Sequence, residues 1–241
     1  MTALAPPLSP RLAALAEAIV PGSRVADVGS DHGLLPLWLA ASGRAAFCLA
    51  AEKTEERLAG VVRPPAGVPW AERLGYRAGD GLGAIRPDDR IDTIVLAGLG
   101  GRTIVRLLGA QEAASPALRR LVLQPRSEPA LTRLWLRQHG WRPVAERLTE
   151  QGGRFHLTLA AERGADTGLY DHATLSRDDL LAAGPLLVRA PSEEMGRAWR
   201  QERDRLASIA AGSGAGPSLE RARSGLARAL RVLAAISPPG G

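Results

Sequence analysis

The sequence predicts an α/β fold: a mostly parallel sheet, closed by an antiparallel hairpin and followed by two long helices. Three observations carry this. Up to Arg163, short apolar runs ending in glycine or an acidic residue alternate with helical patterns, which indicates parallel strands joined by right-handed crossovers. Two β-type runs then flank Gln151-Gly152-Gly153, a hairpin signal. Beyond Arg163 the composition becomes helical and rich in arginine.

Taken in order, residues 8–19 carry Leu and Ala at helical spacing and stop at Pro21-Gly22. Residues 24–29 read as a strand running into a glycine turn, with a helix at 34–41. A second strand over 46–51 is closed by Glu52. Residues 76–81 read as the end of a third strand. Residues 91–97 form a fourth, closed by Gly98-Leu99-Gly100-Gly101, and 121–124 a fifth, followed by Pro125. Helical patterns cover 103–108 and 128–139. The hairpin strands, 141–149 and 154–160, complete a seven-stranded sheet. That outline is the usual one for a Rossmann-like class I methyltransferase domain, here residues 1–163, and not for a dehydrogenase. Residues 164–241 form the second domain. It has a polar linker at 164–174, a helix over 192–211 with Met195, Trp199, Leu206 and Ile209 at helical spacing, a break at Gly212-Ser213-Gly214-Ala215-Gly216-Pro217, and a helix over 219–236 with Leu226, Leu230 and Leu233 on one stripe. Two helices joined by a short Gly-rich loop make an antiparallel hairpin.

Composition bounds the function. Of 31 Lys+Arg, Lys53 is the only lysine, a bias that a GC-rich genome produces. A formal net charge of +6 and an isoelectric point near 10.7 suggest an anionic partner, of which nucleic acid is the commonest. Cys48 is the single cysteine, which excludes an internal disulfide and reads as a buried small hydrophobe. No apolar run reaches the ~20 residues needed to span a bilayer, and residues 1–10 lack the features of a signal peptide, so a cytoplasmic protein with no membrane association is expected. No cluster has metal-ligand spacing.

The chemistry lies at the strand ends. Asp27-Val28-Gly29-Ser30-Asp31-His32-Gly33 is a strand–turn–helix junction in which Gly29 and Gly33 let the backbone approach a ligand. It lacks the G-x-G-x-x-G of a dinucleotide site. The Asp in the loop suits the positive ammonium and sulfonium of S-adenosylmethionine (SAM) and would repel a pyrophosphate. Glu52, roughly 20 residues after the glycine turn, is placed to accept from two ribose hydroxyls. Gly79-Asp80-Gly81-Leu82 is placed to reach an adenine. Ala97-Gly98-Leu99-Gly100-Gly101 borders the acceptor pocket, where its glycines allow close approach of a flat ring or a ribose, or else the tight packing of a helix on the sheet.

These segments resemble the bacterial tRNA adenine-N1 methyltransferases that modify position 22, the TrmK family. The resemblance rests on Leu8-Ser9-Pro10-Arg11-Leu12, Ala26-Asp27-Val28-Gly29-Ser30-Asp31-His32, Gly79-Asp80-Gly81-Leu82, Ala97-Gly98-Leu99-Gly100-Gly101, Leu123-Gln124-Pro125, Gly152-Gly153-Arg154-Phe155 and Gly184-Pro185-Leu186-Leu187, in that order over nearly the whole chain. Leu99 stands where the family often has Met, and Arg126 where it has Asn.

The resemblance implies methyl transfer from SAM to N1 of an adenine in tRNA and a coiled-coil pairing of the C-terminal helices. Asp31, His32 and Gln124 are then the acceptor-side candidates; Asp31 serves either the adenine amine or the SAM amino group. Asp27, Gly29, Ser30, Asp31, Gly33, Glu52, Lys53, Asp80, Gly81, Leu82, Ala97, Gly98 and Leu99 fall to SAM. Gly100, Gly101, Pro125, Arg126, Arg197 and Arg200 fall to the tRNA, along with Arg203 and Arg205 of the first long helix and Arg221, Arg223, Arg228 and Arg231 of the second. The alternative for these helix arginines is local pairing with Glu193, Glu194, Glu202 and Asp204. The other functions consistent with the residues are a methyltransferase for another nucleobase or a small molecule, and a catalytically silent Rossmann module that binds RNA or protein. A monomer is slightly favoured.

The cofactor assignment has a direct check. S-adenosylhomocysteine at 100 times its dissociation constant is expected to stabilise the protein by about 2.7 kcal/mol in a thermal melt, and NAD to leave it unchanged. A shift with NAD alone would overturn the assignment.

Overall fold

The computed structural model describes residues 7–110, 117–212 and 216–237. Part of the expected break, Ser213–Ala215, and the first six residues of the N-terminal stretch lie outside them. The chain divides into two compact units, Met1–Ala165 and Asp166–Gly241.

The first unit runs α1 (Pro10–Ala18), β1 (Ser23–Val28), α2 (Leu34–Ala41), β2 (Ala45–Glu52), α3 (Glu55–Ala59), β3 (Leu74–Ala78), β4 (Thr93–Gly100), α4 (Gly101–Ala110), β5 (Arg120–Ser127), α5 (Pro129–Gln138), β6 (Trp141–Gln151) and β7 (Arg154–Arg163). The sheet order is β3-β2-β1-β4-β5-β7-β6. All neighbours are parallel except β5 with β7 and β7 with β6. Strand order therefore reverses between β1 and β4. In open α/β sheets the carboxyl ends of the strands at such a switch point form the binding crevice.

Aromatics are scarce, and the core is built from Leu, Ile, Val and Ala, with Leu15, Ile19, Leu39, Leu49, Ile94, Leu96 and Leu121 sealed from solvent. Cys48 belongs to this core, and burial pushes its thiol up, well above the ordinary range. Arg133 of α5 and Glu146 of β6 form an ion pair with both side chains at or below 1% exposure. Such a pair is held by its geometry, and removing either partner leaves a buried charge.

Three features of this unit differ from the expectation. The third strand ends at Ala78, and 81–84 form a 3-10 turn, so Asp80 and Gly81 lie in a loop. The fourth strand extends to Gly100 through a bulge at Gly98, where φ is +71°. The short helix α3, capped by the Thr54 hydroxyl on the Arg57 amide, lies in a stretch the periodicity left unassigned.

The second unit runs α6 (Arg177–Ala183), α7 (Pro185–Arg189), α8 (Glu193–Ala210) and α9 (Pro217–Ile236), with α8 and α9 packed along each other. The expected polar linker is in part structural, because Leu169 and Tyr170 are buried. The buried line of α9 is Ala222, Ala229 and Val232, and Leu230 faces solvent at 52% exposure. Small residues face α8 so that the two backbones can approach; a Cβ on Gly225 would lie 3.1 Å from Leu206 Cδ1. On α8, Met195 and Leu206 are buried while Ile209 is exposed.

Asp179 is the polar anchor of this unit. It caps α6 with Ser176 and accepts from Arg231 Nε and Nη2 at 3.0 and 2.8 Å, with Arg228 Nε 3.4 Å away. Arg228 and Arg231 thus both reach a carboxylate that is 2% exposed, while their own side chains stay 37% and 49% exposed. Arg197 pairs with Glu193 and Glu194, Arg203 with Asp204 and Arg205 with Glu202. Local pairing therefore engages three of the eight helix arginines, and Asp179 engages two more.

The Arg231 bond, with help from the Ser176 cap, lowers the Asp179 carboxyl to about 2. A depressed carboxyl stabilises the fold above its unfolded value near 4, and that stability is lost as pH falls through about 2. Asp179→Asn is expected to cost about 2 kcal/mol at pH 7, discounted for the half-exposed guanidiniums. It should also flatten the acid limb of stability between about pH 4 and 2, read by denaturant titration. An unchanged acid limb would contradict the anchor.

Candidate active site

The carboxyl ends of β1, β2 and β4 meet around a cleft of about 580 Å³ within the first unit. β1 delivers Asp27, and the chain then turns through Gly29 at φ +78°, Asp31 at +56° and Gly33 at +70°. A left-handed conformation is cheap for glycine and less so for Asp31, whose short polar side chain tolerates it. The turn is pinned to β2. The amides of Gly29 and Ser30 donate to the Ala51 carbonyl, and the Asp31 amide donates to Glu52 Oε1 at 2.6 Å. At Gly33 the reason for glycine is also steric, since a Cβ would lie 2.4 Å from Val61 Cγ1.

Two carboxylates are buried here. Asp27 is 4% exposed and accepts from the Ser30 hydroxyl at 2.9 Å; Glu52 is likewise 4% exposed. Burial pushes the Asp27 carboxyl up to about 7. The Ser30 bond and the nearby Arg11 charge oppose this, and the Glu52 charge adds to it. Asp31 and His32 project to solvent at 84% and 75% exposure, with Asp31 Oδ2 3.8 Å from His32 Nε2.

Of the expected residues, the cleft brings together Asp27, Gly29, Ser30, Asp31, His32, Glu52, Ala97, Gly98, Leu99 and Arg126. The bulge at Gly98 lets β4 present Ala97 and Leu99 there. Lys53 and Asp80 do not line it. They pair at 3.8 Å beside it, with the Gly79 amide bonded to the Glu52 carbonyl. Gly81 and Leu82 pack inward: a Cβ on Gly81 would lie 2.5 Å from Leu107 Cδ2, and Leu82 is 3% exposed.

Gly100, Gly101 and Pro125 do not line the cleft either. At Gly101 a Cβ would lie 2.6 Å from the Glu128 carbonyl oxygen, so its glycine serves helix packing. Pro125 is buried opposite Leu99. Arg197 and Arg200 line a groove of about 770 Å³ within the second unit, bordered by Ser192 and Leu233. Gln124 is 2% exposed and lies outside the cleft. Its Oε1 accepts from Arg11 Nη1 at 2.9 Å, and its Nε2 donates to the Arg11 carbonyl and the Thr158 hydroxyl, so both ends of its amide are engaged by the protein.

Arg11, Leu12, Leu15, Leu34, Leu35, Glu56, Arg57 and Gly60 also line the cleft and were not among the expected site residues. For Arg11 the signal lay in the Leu8-Ser9-Pro10-Arg11-Leu12 segment, one of those that carry the family resemblance. Among the described residues no group of three His, Cys, Asp or Glu is placed to hold a metal, and no helix is long and apolar enough to cross a membrane.

Two buried acids next to a left-handed turn suit a ligand that brings positive charge and hydroxyl donors, as SAM does. Without such a ligand, ionised Asp27 is a burden on the fold. Its carboxyl lies near 7 against about 4 unfolded, so stability present below about pH 4 is lost as pH rises to 7. Asp27→Asn is expected to make the unliganded protein more stable at pH 8, by on the order of 4 kcal/mol, and no more stable near pH 4. Denaturant titrations at the two pH values check this; a variant less stable at pH 8 would contradict the buried, strained carboxylate.

Comparison with known proteins agrees with this geometry. Residues 25–233 match the family described as TrmK, tRNA (adenine(22)-N(1))-methyltransferase. The tRNA (adenine(22)-N(1))-methyltransferase of Bacillus subtilis (strain 168) is 32% identical over 202 residues, 84% of each chain. A crystal structure of a tRNA (m1A22) methyltransferase from Streptococcus pneumoniae, described as putative, in complex with SAM superposes with a TM-score of 0.81 at 28% identity, covering 94% of this chain and 100% of that one. The B. subtilis TrmK crystal structure gives a TM-score of 0.81 at 27% identity, covering 96% and 99%. The chain belongs to the tRNA (adenine(22)-N(1))-methyltransferase family and is a SAM-dependent tRNA (adenine-N1)-methyltransferase.

Proposed function

We propose that the adenine methylated is that of tRNA position 22. Residues 1–163 act as the SAM-binding methyltransferase domain and residues 164–241 as a helical domain that helps hold the tRNA. The enzyme works as a cytoplasmic monomer. The observation that carries the assignment of the site is the pair of buried carboxylates, Asp27 and Glu52, facing one cleft at the switch point. The family description names position 22, and the net charge of +6 suits a polyanionic substrate.

Asp27 faces the positive charge of the cofactor. Glu52, whose Oε1 is taken by the Asp31 amide, offers Oε2 to the ribose hydroxyls. Gly29, Ser30 and the Ala97-Gly98-Leu99 bulge form the close walls, while Lys53 and Asp80 frame the adenine edge. Bound there, SAM supplies a methyl group activated by its sulfonium.

The chain's own task is positional. The N1 lone pair is itself the nucleophile, so no strong general base is required. The cleft must hold N1 about 3–3.5 Å from the methyl carbon, in line with the leaving sulfur. The methylated base is cationic, and Asp31 at the mouth is placed to stabilise the developing charge beside His32. The target base must first be turned out of its stack, at a cost of a few kcal/mol. Arg126, which lines the cleft, forms the acceptor-side wall.

Nucleoside mass spectrometry of an unmodified tRNA transcript treated with enzyme and SAM tests the reading. One N1-methyladenosine per tRNA is expected, lost when adenine 22 is replaced by guanine. Methylation at another position, or of another base, would overturn it. Asp27→Asn and Glu52→Ala are each expected to weaken SAM binding about tenfold or more, the loss of a hydrogen bond to a charged group.

A further inference from the structure

Arg11, in the first turn of α1, has its position fixed three times over. Its Nη1 donates to Gln124 Oε1 at 2.9 Å, its carbonyl accepts from Gln124 Nε2 at 3.3 Å, and its amide donates to Gln151 Oε1 at 3.2 Å. Gln124 is buried, and both ends of its amide are engaged. The guanidinium so placed lines the cleft together with Arg126 of β5.

β7 continues the arrangement. Side chains alternate along a strand, so Arg154, His156 and Thr158 share one face, and Thr158 is the residue bonded to Gln124. Arg154 also stands in register with Gln151, which holds the Arg11 amide. His156 reports the result. Its imidazole is held below the ordinary histidine range by burial and then by the charges of Arg11, Arg154 and Arg126. None of these three arginines has an ion pair with a carboxylate among the described residues. Arg11 does act electrostatically on Asp27, on the cofactor side.

Three like charges gathered from α1, β5 and the β6–β7 hairpin repel one another unless an anion joins them. The planar guanidinium fork fits phosphate oxygens. Three such groups on three elements exceed what a single carboxylate requires, whereas a nucleotide turned out of its stack presents a phosphate on either side. We propose that Arg11, Arg126 and Arg154 clamp the RNA phosphates flanking the target adenosine, with Gln124 and Gln151 positioning Arg11. The clamp rests on the reading of the chain as a tRNA methyltransferase.

The test uses the full-length chain, unmodified tRNA transcript and SAM. Arg126 and Arg154 are exposed, so R126A/R154A keeps the fold. It is expected to raise the tRNA KM about tenfold or more, to flatten the dependence of log K on log salt by about two units, and to leave the SAM Kd within about twofold. R11A should flatten the slope by about one unit, and R11K should recover part of the affinity. Q124A keeps every charge yet should raise the tRNA KM, and R11A/Q124A should be no worse than R11A, since the two act as one unit. An unchanged tRNA KM and salt slope in R126A/R154A would overturn the clamp. So would a SAM Kd raised in R126A/R154A with the tRNA KM unchanged, which would assign these arginines to the cofactor. The salt titration reads binding without catalysis. A wild type that binds tRNA through these arginines but methylates no adenine therefore overturns the activity and upholds the clamp.

Discussion

The hydrogen bond from the Asp31 amide to the buried Glu52 carboxylate is the constraint on which the site depends. It joins the loop after β1 to the end of β2, across the parallel pair that lies beside the strand-order reversal. A carboxylate removed from water needs its oxygens occupied, and the amide of a residue at φ +56° occupies one. The turn is thereby held in a conformation that local preference alone would not choose, and it is held open toward the cleft. Asp27, Ser30 and the bulged end of β4 take their places around that fixed turn.

The same arrangement sets stability against function. Asp27 has the Ser30 hydroxyl as its hydrogen-bond partner, and its burial disfavours the charged form in the unliganded chain. The strain is relieved by a cation, and the cofactor brings one. At the acceptor end the sign reverses, with three arginines gathered where an anion is to arrive. The cleft thus carries both signs, with Asp27 and Glu52 buried at it and Arg11 and Arg126 lining it. The second unit shows the opposite use of charge. There Asp179 is sealed by Arg231 and Arg228, and the charges hold helices together.

What could be read from the sequence was what is local. Asp27, Gly29, Asp31 and Glu52 sit at strand ends with diagnostic spacing, and all four line the cleft. Leu-rich α9 was readable as a helix, but not its buried line, because Ala222 and Ala229 are buried and Gly225 meets Leu206 of α8 while Leu230 points out; small residues at a close helix crossing invert the hydrophobic pattern. The helix α6 was missed although Ser176-Arg177-Asp178-Asp179 carries the capping-box signature. At Gly101 the sequence left ligand approach and helix packing open, and the tight contact there is with the Glu128 carbonyl 27 residues away. Arg11 stood in a segment that carries the family resemblance, but its place at the cleft was out of reach, since its partners Gln124 and Gln151 lie 113 and 140 residues along the chain. Only the folded sheet brings them together.

Proton release on cofactor binding tests the central claim, that the buried Asp27 carboxylate is kept in readiness for a cation. Isothermal titration with SAM at pH 6, in buffers of differing ionisation enthalpy, gives the number of protons exchanged. With the free carboxyl near 7, the unliganded protein is mostly protonated there, and a cation beside Asp27 favours the ionised form. The expected result is release of close to one proton per SAM, abolished in Asp27→Asn. Binding without proton release in the wild-type protein would contradict the account.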